Sequence, residues 1–203
     1  MNRYGLFYNY KTLGDVLLIV FKPTENPDEV IKMDDVVVLK KNNEVIGINI
    51  FNISKIMKIK ANGFIPLVED KVLNIINHIL ENHQVKPLEK LDNSGFKVAQ
   101  IVDIEEHPES DHLHICKVDV GQSDYLEIVC GAFNARKDLK CVCALPYTFM
   151  PSGRQIIPGK LLGIDSYGML CSGRELALEG YENKRGLLEL DDTYTVGSDF
   201  FSY

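Results

Sequence analysis

Short runs of β-branched and aromatic residues, broken by turn residues, constrain this chain more than any other feature, because they leave little room for a helical architecture. Residues 2–10, 15–22, 34–40 and 44–53 are rich in Val, Ile, Phe and Tyr and read as strands. Asp35–Lys40 and Glu44–Phe51 are separated by Lys41-Asn42-Asn43, a polar break suited to a hairpin. Pro23 and Pro27, with Thr24 and Asn26, mark a loop. Glu69–Gln84 is the clearest helix. There Val72, Ile75, Ile76, Ile79 and Leu80 recur at the spacing of one buried face, and Glu69 and Asp70 place negative charge where the helix dipole favours it. Residues 1–90 are therefore expected to form a small α+β domain, an antiparallel sheet plus a helix.

Pro87 and the run Asp92-Asn93-Ser94-Gly95 mark the expected domain boundary. Beyond it, Lys97–Ile104, His114–Val120, Tyr125–Cys130 and Lys140–Leu145 read as short strands, with Gly121-Gln122-Ser123-Asp124 as a hairpin-like connection. A last strand is expected within Gly186–Leu190, and residues 151–185 read as irregular and Gly-rich. Many short strands and few helices predict an all-β barrel or sandwich over residues 94–203.

The chain has 203 residues, 45% apolar and 25% charged, which suits one or two ordinary globular domains. It has no run of 18 apolar residues and no basic-then-apolar start, so neither a membrane span nor a signal peptide is expected. Five cysteines, an odd number in apolar surroundings, point to a reducing cytoplasm. Cys141 and Cys143 would face one side of a strand as small core residues. No Cys-x-x-Cys pair occurs, and Asp111, His112 and His114 lack the further partner that a metal site or an acid–base relay needs, so no metal, cofactor or catalytic residue is assigned. A phosphate-cradling G-x-x-x-x-G-K-[ST] loop is missing, and the cysteines sit where thiols are usually inert; the chain does not read as an enzyme.

Three stretches are distinctive together. The first is His107-Pro108-Glu109-Ser110-Asp111-His112-Leu113, followed by Cys116-Lys117-Val118-Asp119-Val120-Gly121. The second is Ile128–Arg136, with Cys130-Gly131-Ala132-Phe133-Asn134 at its centre, followed by Ala144-Leu145-Pro146. The third is Ile157-Pro158-Gly159-Lys160-Leu161-Leu162-Gly163, continuing through Ser166-Tyr167-Gly168-Met169-Leu170-Cys171-Ser172. In this order they closely resemble the tRNA-binding domain near the start of the bacterial phenylalanyl-tRNA synthetase beta subunit, a domain that also ends some methionyl-tRNA synthetases and exists free-standing. The layout, a small α+β unit followed by that domain, resembles the YtpR family of tRNA-binding-domain proteins.

The resemblance implies an OB-fold barrel that binds tRNA by shape and phosphate rather than by base sequence, and catalyses nothing by itself. It also implies work beside an aminoacyl-tRNA synthetase or a tRNA-modifying enzyme. Because free-standing relatives are often dimers, it admits a homodimer.

The side chains suit that role. Asn134, Arg136, Lys137 and Lys140 offer an amide, a guanidinium and two amines in one loop, and guanidinium grips phosphate with two parallel hydrogen bonds. Lys160, Ser166 and Ser172 can hold phosphate oxygens without reading sequence, and Met169 can pack under a base. Lys117 and Arg154 are secondary candidates. Arg174-Glu175 reads as a local ion pair, and Lys184-Arg185 as a small basic step or a solvated turn.

Charge runs against this picture. The net charge is -7. Residues 1–93 hold 12 Lys+Arg and 12 Asp+Glu, whereas residues 94–203 hold 10 and 17. His112 and Leu162 also stand where the family often carries a basic residue. Weak, salt-sensitive binding is expected, through a local strip around Arg136, Lys137, Lys140 and Lys160, with an acidic rear face. The alternative is a protein-interaction module that has lost most RNA affinity.

Overall fold

A computed structural model of the chain describes residues 3–23 and 26–202. Asn2, at the start of the first expected strand, and Thr24, in the first expected loop, lie outside the described residues. The chain divides after Asp92 into two compact units.

The first unit is mostly β. Strands β1 (Gly5–Tyr8), β2 (Val16–Val20), β3 (Glu29–Met33), β4 (Val36–Lys41), β5 (Glu44–Phe51) and β6 (Gly63–Ile65) form one sheet in the order β3-β4-β5-β2-β1-β6. Every pairing in it is antiparallel. The first expected strand stops at Tyr8, because the Asn9 side chain accepts from Thr12 N–H and caps a short helix, α1 (Tyr10–Leu13). Helix α2 (Asp70–Asn82) buries Leu73, Ile76, Ile79 and Leu80 against a core that includes Leu17, Ile19, Ile48 and Ile50. Val72 and Ile75, expected on that face, are only partly buried, and Leu73 takes the inner position.

The second unit comprises β7 (Phe96–His107), β8 (Ser110–Asp119), β9 (Leu126–Cys130), β10 (Lys140–Ala144), β11 (Gly159–Leu161), β12 (Ile164–Ser166) and β13 (Met169–Cys171). Five strands form an antiparallel sheet in the order β13-β10-β7-β8-β9, and β11 and β12 form a separate hairpin. The β7–β8 register shifts between Ile101 and Asp103 and again between Glu106 and His107. Such bulges bend a strand and increase its twist. The sheet curls into a half-barrel whose edge strands β9 and β13 come into contact. Tyr167 N–H donates to the Glu127 carbonyl at 2.8 Å, linking the turn between β12 and β13 to β9.

Two expectations need correction. Residues 151–185 hold three strands, β11 to β13, rather than irregular chain alone. Gly186–Leu190 is not a regular strand. Leu188 N–H donates to Cys171 and Leu190 N–H to Lys140, each at 2.9 Å, so the segment crosses the ends of two strands and makes one bond to each.

The core of this unit includes Ile101, Val118, Ile128 and Leu170, together with Cys116, Cys141 and Cys143. All five cysteines are buried and unbridged. The unit's last segment returns to its first. Ser94 donates from its N–H (2.6 Å) and its hydroxyl (2.8 Å) to the Asp199 carboxylate. Gly197 N–H donates to Val98 at 2.8 Å, and the Phe96 and Phe201 rings meet edge to face, centroids 5.1 Å apart.

Candidate nucleic-acid interface

The loop after β9 is held rigidly from the far end of the unit. Asn134 Nδ2 donates to the Leu187 carbonyl (3.1 Å) and to Glu189 (2.9 Å), and its Oδ1 accepts from Leu187 N–H (2.8 Å). Arg136 grips both Glu189 oxygens, at 2.9 and 2.7 Å, and also donates to the Asn134 carbonyl. These bonds hold the Glu189 carboxyl down at about 2, with Arg136 the larger cause and Asn134 the second. Asn134 and Arg136 therefore act first as a clasp within the protein.

Lys140 is largely buried. Its ammonium lies 2.9 Å from the Tyr194 carbonyl and 3.4 Å from Asp192. Lys160, on β11, is exposed and 3.4 Å from Asp165 on β12. Three of the four cations in the expected strip are thus already beside a carboxylate. Lys137 is exposed and has no ion-pair partner among the described residues.

Ser166 accepts from Val129 N–H at 3.1 Å, tying β12 to β9. Ser172 is buried, and its N–H and hydroxyl both donate to Glu175, at 2.8 and 2.7 Å. Glu175 is therefore engaged with Ser172, and the expected Arg174–Glu175 ion pair does not form. Lys117 lies over the Tyr125 ring, 5.2 Å from its centroid, in a recess shared with Asp103, Glu105 and Glu127. Those three carboxylates make the recess a poor phosphate site. Arg154 is exposed in the turn between Phe149 and Gln155, which form an isolated bridge.

A cleft of about 450 Å³ lies where the end of β9, strand β13 and the 184–187 segment meet. Val129, Met169, Leu170 and Leu187 give it apolar walls, and Arg174, Lys184 and Arg185 supply three cations. Its one carboxylate, Glu175, is the one held by Ser172. Arg174 and Arg185 have no ion-pair partner among the described residues. Lys184 sits 4.2 Å over the Tyr181 ring, a cation–π contact that leaves its charge intact.

Two glycines beside the cleft leave no room for a side chain. A Cβ on Gly173 would fall 2.2 Å from the Tyr181 ring, and one on Gly186, at φ +87°, would fall 2.6 Å from Asn134 Oδ1. Met169 and Ser172, both expected at the interface, line this cleft; its three cations lie in segments whose sequence suggests only a local ion pair and a small basic step or solvated turn. Arg174 stands ten residues before the adjacent Lys184 and Arg185, a separation that carries no spacing signal.

Cys130 also lines the cleft. The Cys116 thiol donates to it and holds it below its ordinary acidity range, whereas burial pushes Cys143 up to about 12. Among the described residues no group of His, Cys, Asp and Glu could hold a metal ion, and no helix is long and apolar enough to cross a membrane.

Comparisons with known proteins match both units of the chain. A family described as "Putative tRNA binding domain" matches residues 96–199. A domain of unknown function matches residues 23–94. "Putative tRNA-binding protein YtpR" of Bacillus subtilis is 38% identical over 198 residues, which is 96% of this chain and 98% of that protein. The phenylalanine–tRNA ligase beta subunit of Aromatoleum aromaticum is 46% identical over 110 residues, 54% of this chain but 14% of the subunit. That of Methylococcus capsulatus is 45% identical over 112 residues, again 14% of the subunit.

Proposed function

This chain belongs to the tRNA-binding-domain family, and from that premise we propose that it binds tRNA without catalysing a reaction, through an OB-type barrel formed by its second unit. The observation that carries the reading is the cleft in which Arg174, Lys184 and Arg185 converge on a chain of net charge -7. Electrostatic attraction between phosphate and cation supplies most sequence-independent nucleic-acid affinity. In an acidic protein, that attraction must come from a local cluster. The curled five-stranded sheet suits the concave binding face of an OB barrel.

In this reading Arg174, Lys184 and Arg185 contact the backbone inside the cleft. Lys137, Lys160 and Arg154 add contacts outside it, and Met169 and Ser172 line it. Asn134 and Arg136 keep its wall in place; Lys140 and Ser166 brace the barrel. Lys117, among three carboxylates, contributes least. The partial match to ligase subunits supports a place beside an aminoacyl-tRNA synthetase or a tRNA-modifying enzyme in the cytoplasm, which copurification tests. Light scattering tests the homodimer.

Fluorescence anisotropy with total tRNA across a salt series decides the main point. Each phosphate contact contributes about 0.7 to 0.9 to the slope of log K against log salt. Changing Arg174, Lys184 and Arg185 together to Ala should lower that slope by roughly 2 to 3. An unchanged slope would move the site elsewhere. No binding at roughly 10–100 µM in low salt would sink the function itself.

A further inference from the structure

Among the described residues, Phe133 is the most exposed of the large apolar side chains, at 79%. It adjoins Ala132, which lines the cationic cleft, and its ring lies against Gly186, which lines the same cleft. A Cβ at position 186 would fall 2.9 Å from Phe133 Cε1, so the bare glycine backbone is what lets the ring rest there. The backbone on both sides of the ring is fixed. Ala132 N–H donates to Cys130 Sγ at 3.5 Å, Ala135 N–H donates to the Ala132 carbonyl at 3.1 Å, and Asn134 makes its three-bond clasp to Leu187 and Glu189.

We propose that Phe133 is a stacking platform for one unpaired RNA base, whose flanking phosphates are held in the adjoining cleft by Arg174, Lys184 and Arg185. The inference rests on the tRNA-binding reading and specifies which part of the RNA this site takes. A lone exposed aromatic ring is unremarkable on most protein surfaces. Here the ring stands at the lip of a cleft with three cations, apolar walls and a carboxylate already engaged. Base stacking on an aromatic side chain is sequence-tolerant, because every base has a π-face. A paired base in a duplex hides that face between its neighbours, so the site selects single-stranded nucleotides. The cleft volume of about 450 Å³ lies within the range of clefts that take small ligands, about 300–1,000 Å³. The platform is pre-organised: its backbone is clasped before RNA arrives, and Phe has only two side-chain torsions to order.

The test uses the full chain and four probes: total tRNA, a short single-stranded oligoadenylate carrying one 2-aminopurine, the same strand in an RNA duplex, and AMP. The wild type should bind the single strand more tightly than the duplex at equal salt and quench the 2-aminopurine. Phe133→Ala should weaken single-strand binding by about five- to a hundredfold, the range of one stacked base, and restore the fluorescence, with an unchanged salt slope. Phe133→Tyr should behave as wild type, and the melting temperatures of all three proteins should agree. Equal affinity of Phe133→Ala and wild type for the oligonucleotide would overturn the proposal. So would an equal loss on the duplex, or saturation by AMP at the oligonucleotide's own concentration. If tRNA binding survives any of these results, only the stacking inference falls; if the wild type binds no tRNA, the functional reading falls with it.

Discussion

Arg136 and Glu189 make a two-pronged hydrogen-bonded pair, so a phosphate approaching Arg136 must compete with a carboxylate already in place. The pair is about half exposed, which keeps its contribution to stability small. Its pH dependence is nonetheless defined. Glu189 is held from an ordinary 4.5 down to about 2. A carboxyl depressed by folding contributes fully above its unfolded value and loses that contribution as pH falls through its folded value. Between pH 4.5 and about 2 the melting temperature of the wild type should fall more steeply than that of Glu189→Gln. The same substitution releases Arg136, so the salt slope for tRNA should rise by up to about 0.9; an unchanged slope would mean that Arg136 faces away from the RNA. In sequence, Asn134 and Arg136 are polar loop residues able to hold phosphate. That Glu189, 53 positions beyond Arg136, engages both first is not legible there, because nothing in local spacing encodes that contact.

The β11–β12 hairpin is attached to the sheet by few bonds. His107 is buried; its Nδ1 accepts from Glu109 N–H at 3.1 Å, so its Nε2 carries the proton and donates to the Leu161 carbonyl at 3.2 Å. The histidine thereby joins the β7–β8 turn to the hairpin that carries Lys160. His107→Phe fills the space but removes the donor. Amide hydrogen exchange should then quicken across residues 159–166 and stay unchanged in β7 and β10; uniform quickening would mean a general loss of packing instead. Elements with internal pattern were legible. Helix α2 repeats its apolar face over three turns, and β4 and β5 carry dense β-branched runs around a polar turn. The short pieces were not. All three residues of β11 are exposed, and β3, at a sheet edge, buries none of its five fully. Such strands owe their existence to a hydrogen-bonding neighbour, which no window of sequence reveals. The cleft eluded the sequence for the same reason: its walls come from three separate segments.

Each unit encloses its own cluster of buried apolar side chains, one around Ile19, Ile48 and Ile76 and the other around Ile101, Val118 and Ile128. Residues 93–203 expressed alone should therefore fold cooperatively and bind tRNA within about twofold of the full chain, whereas residues 1–92 alone should not bind; circular dichroism melting and anisotropy check both. A tenfold loss would assign part of the RNA surface to the first unit. The charge at this scale matters as well. The second unit carries the whole surplus of acidic residues, so its general field opposes RNA, and the proposed site must draw its attraction from the few cations of the cleft. The Ser94–Asp199 bonds have a separate consequence for this unit. Entrance and exit of the polypeptide lie side by side, so the barrel can be spliced into a loop of a much larger host without stretching or rethreading it. That makes it a self-closing cassette, in keeping with a match that covers 14% of a ligase subunit and more than half of this 203-residue chain.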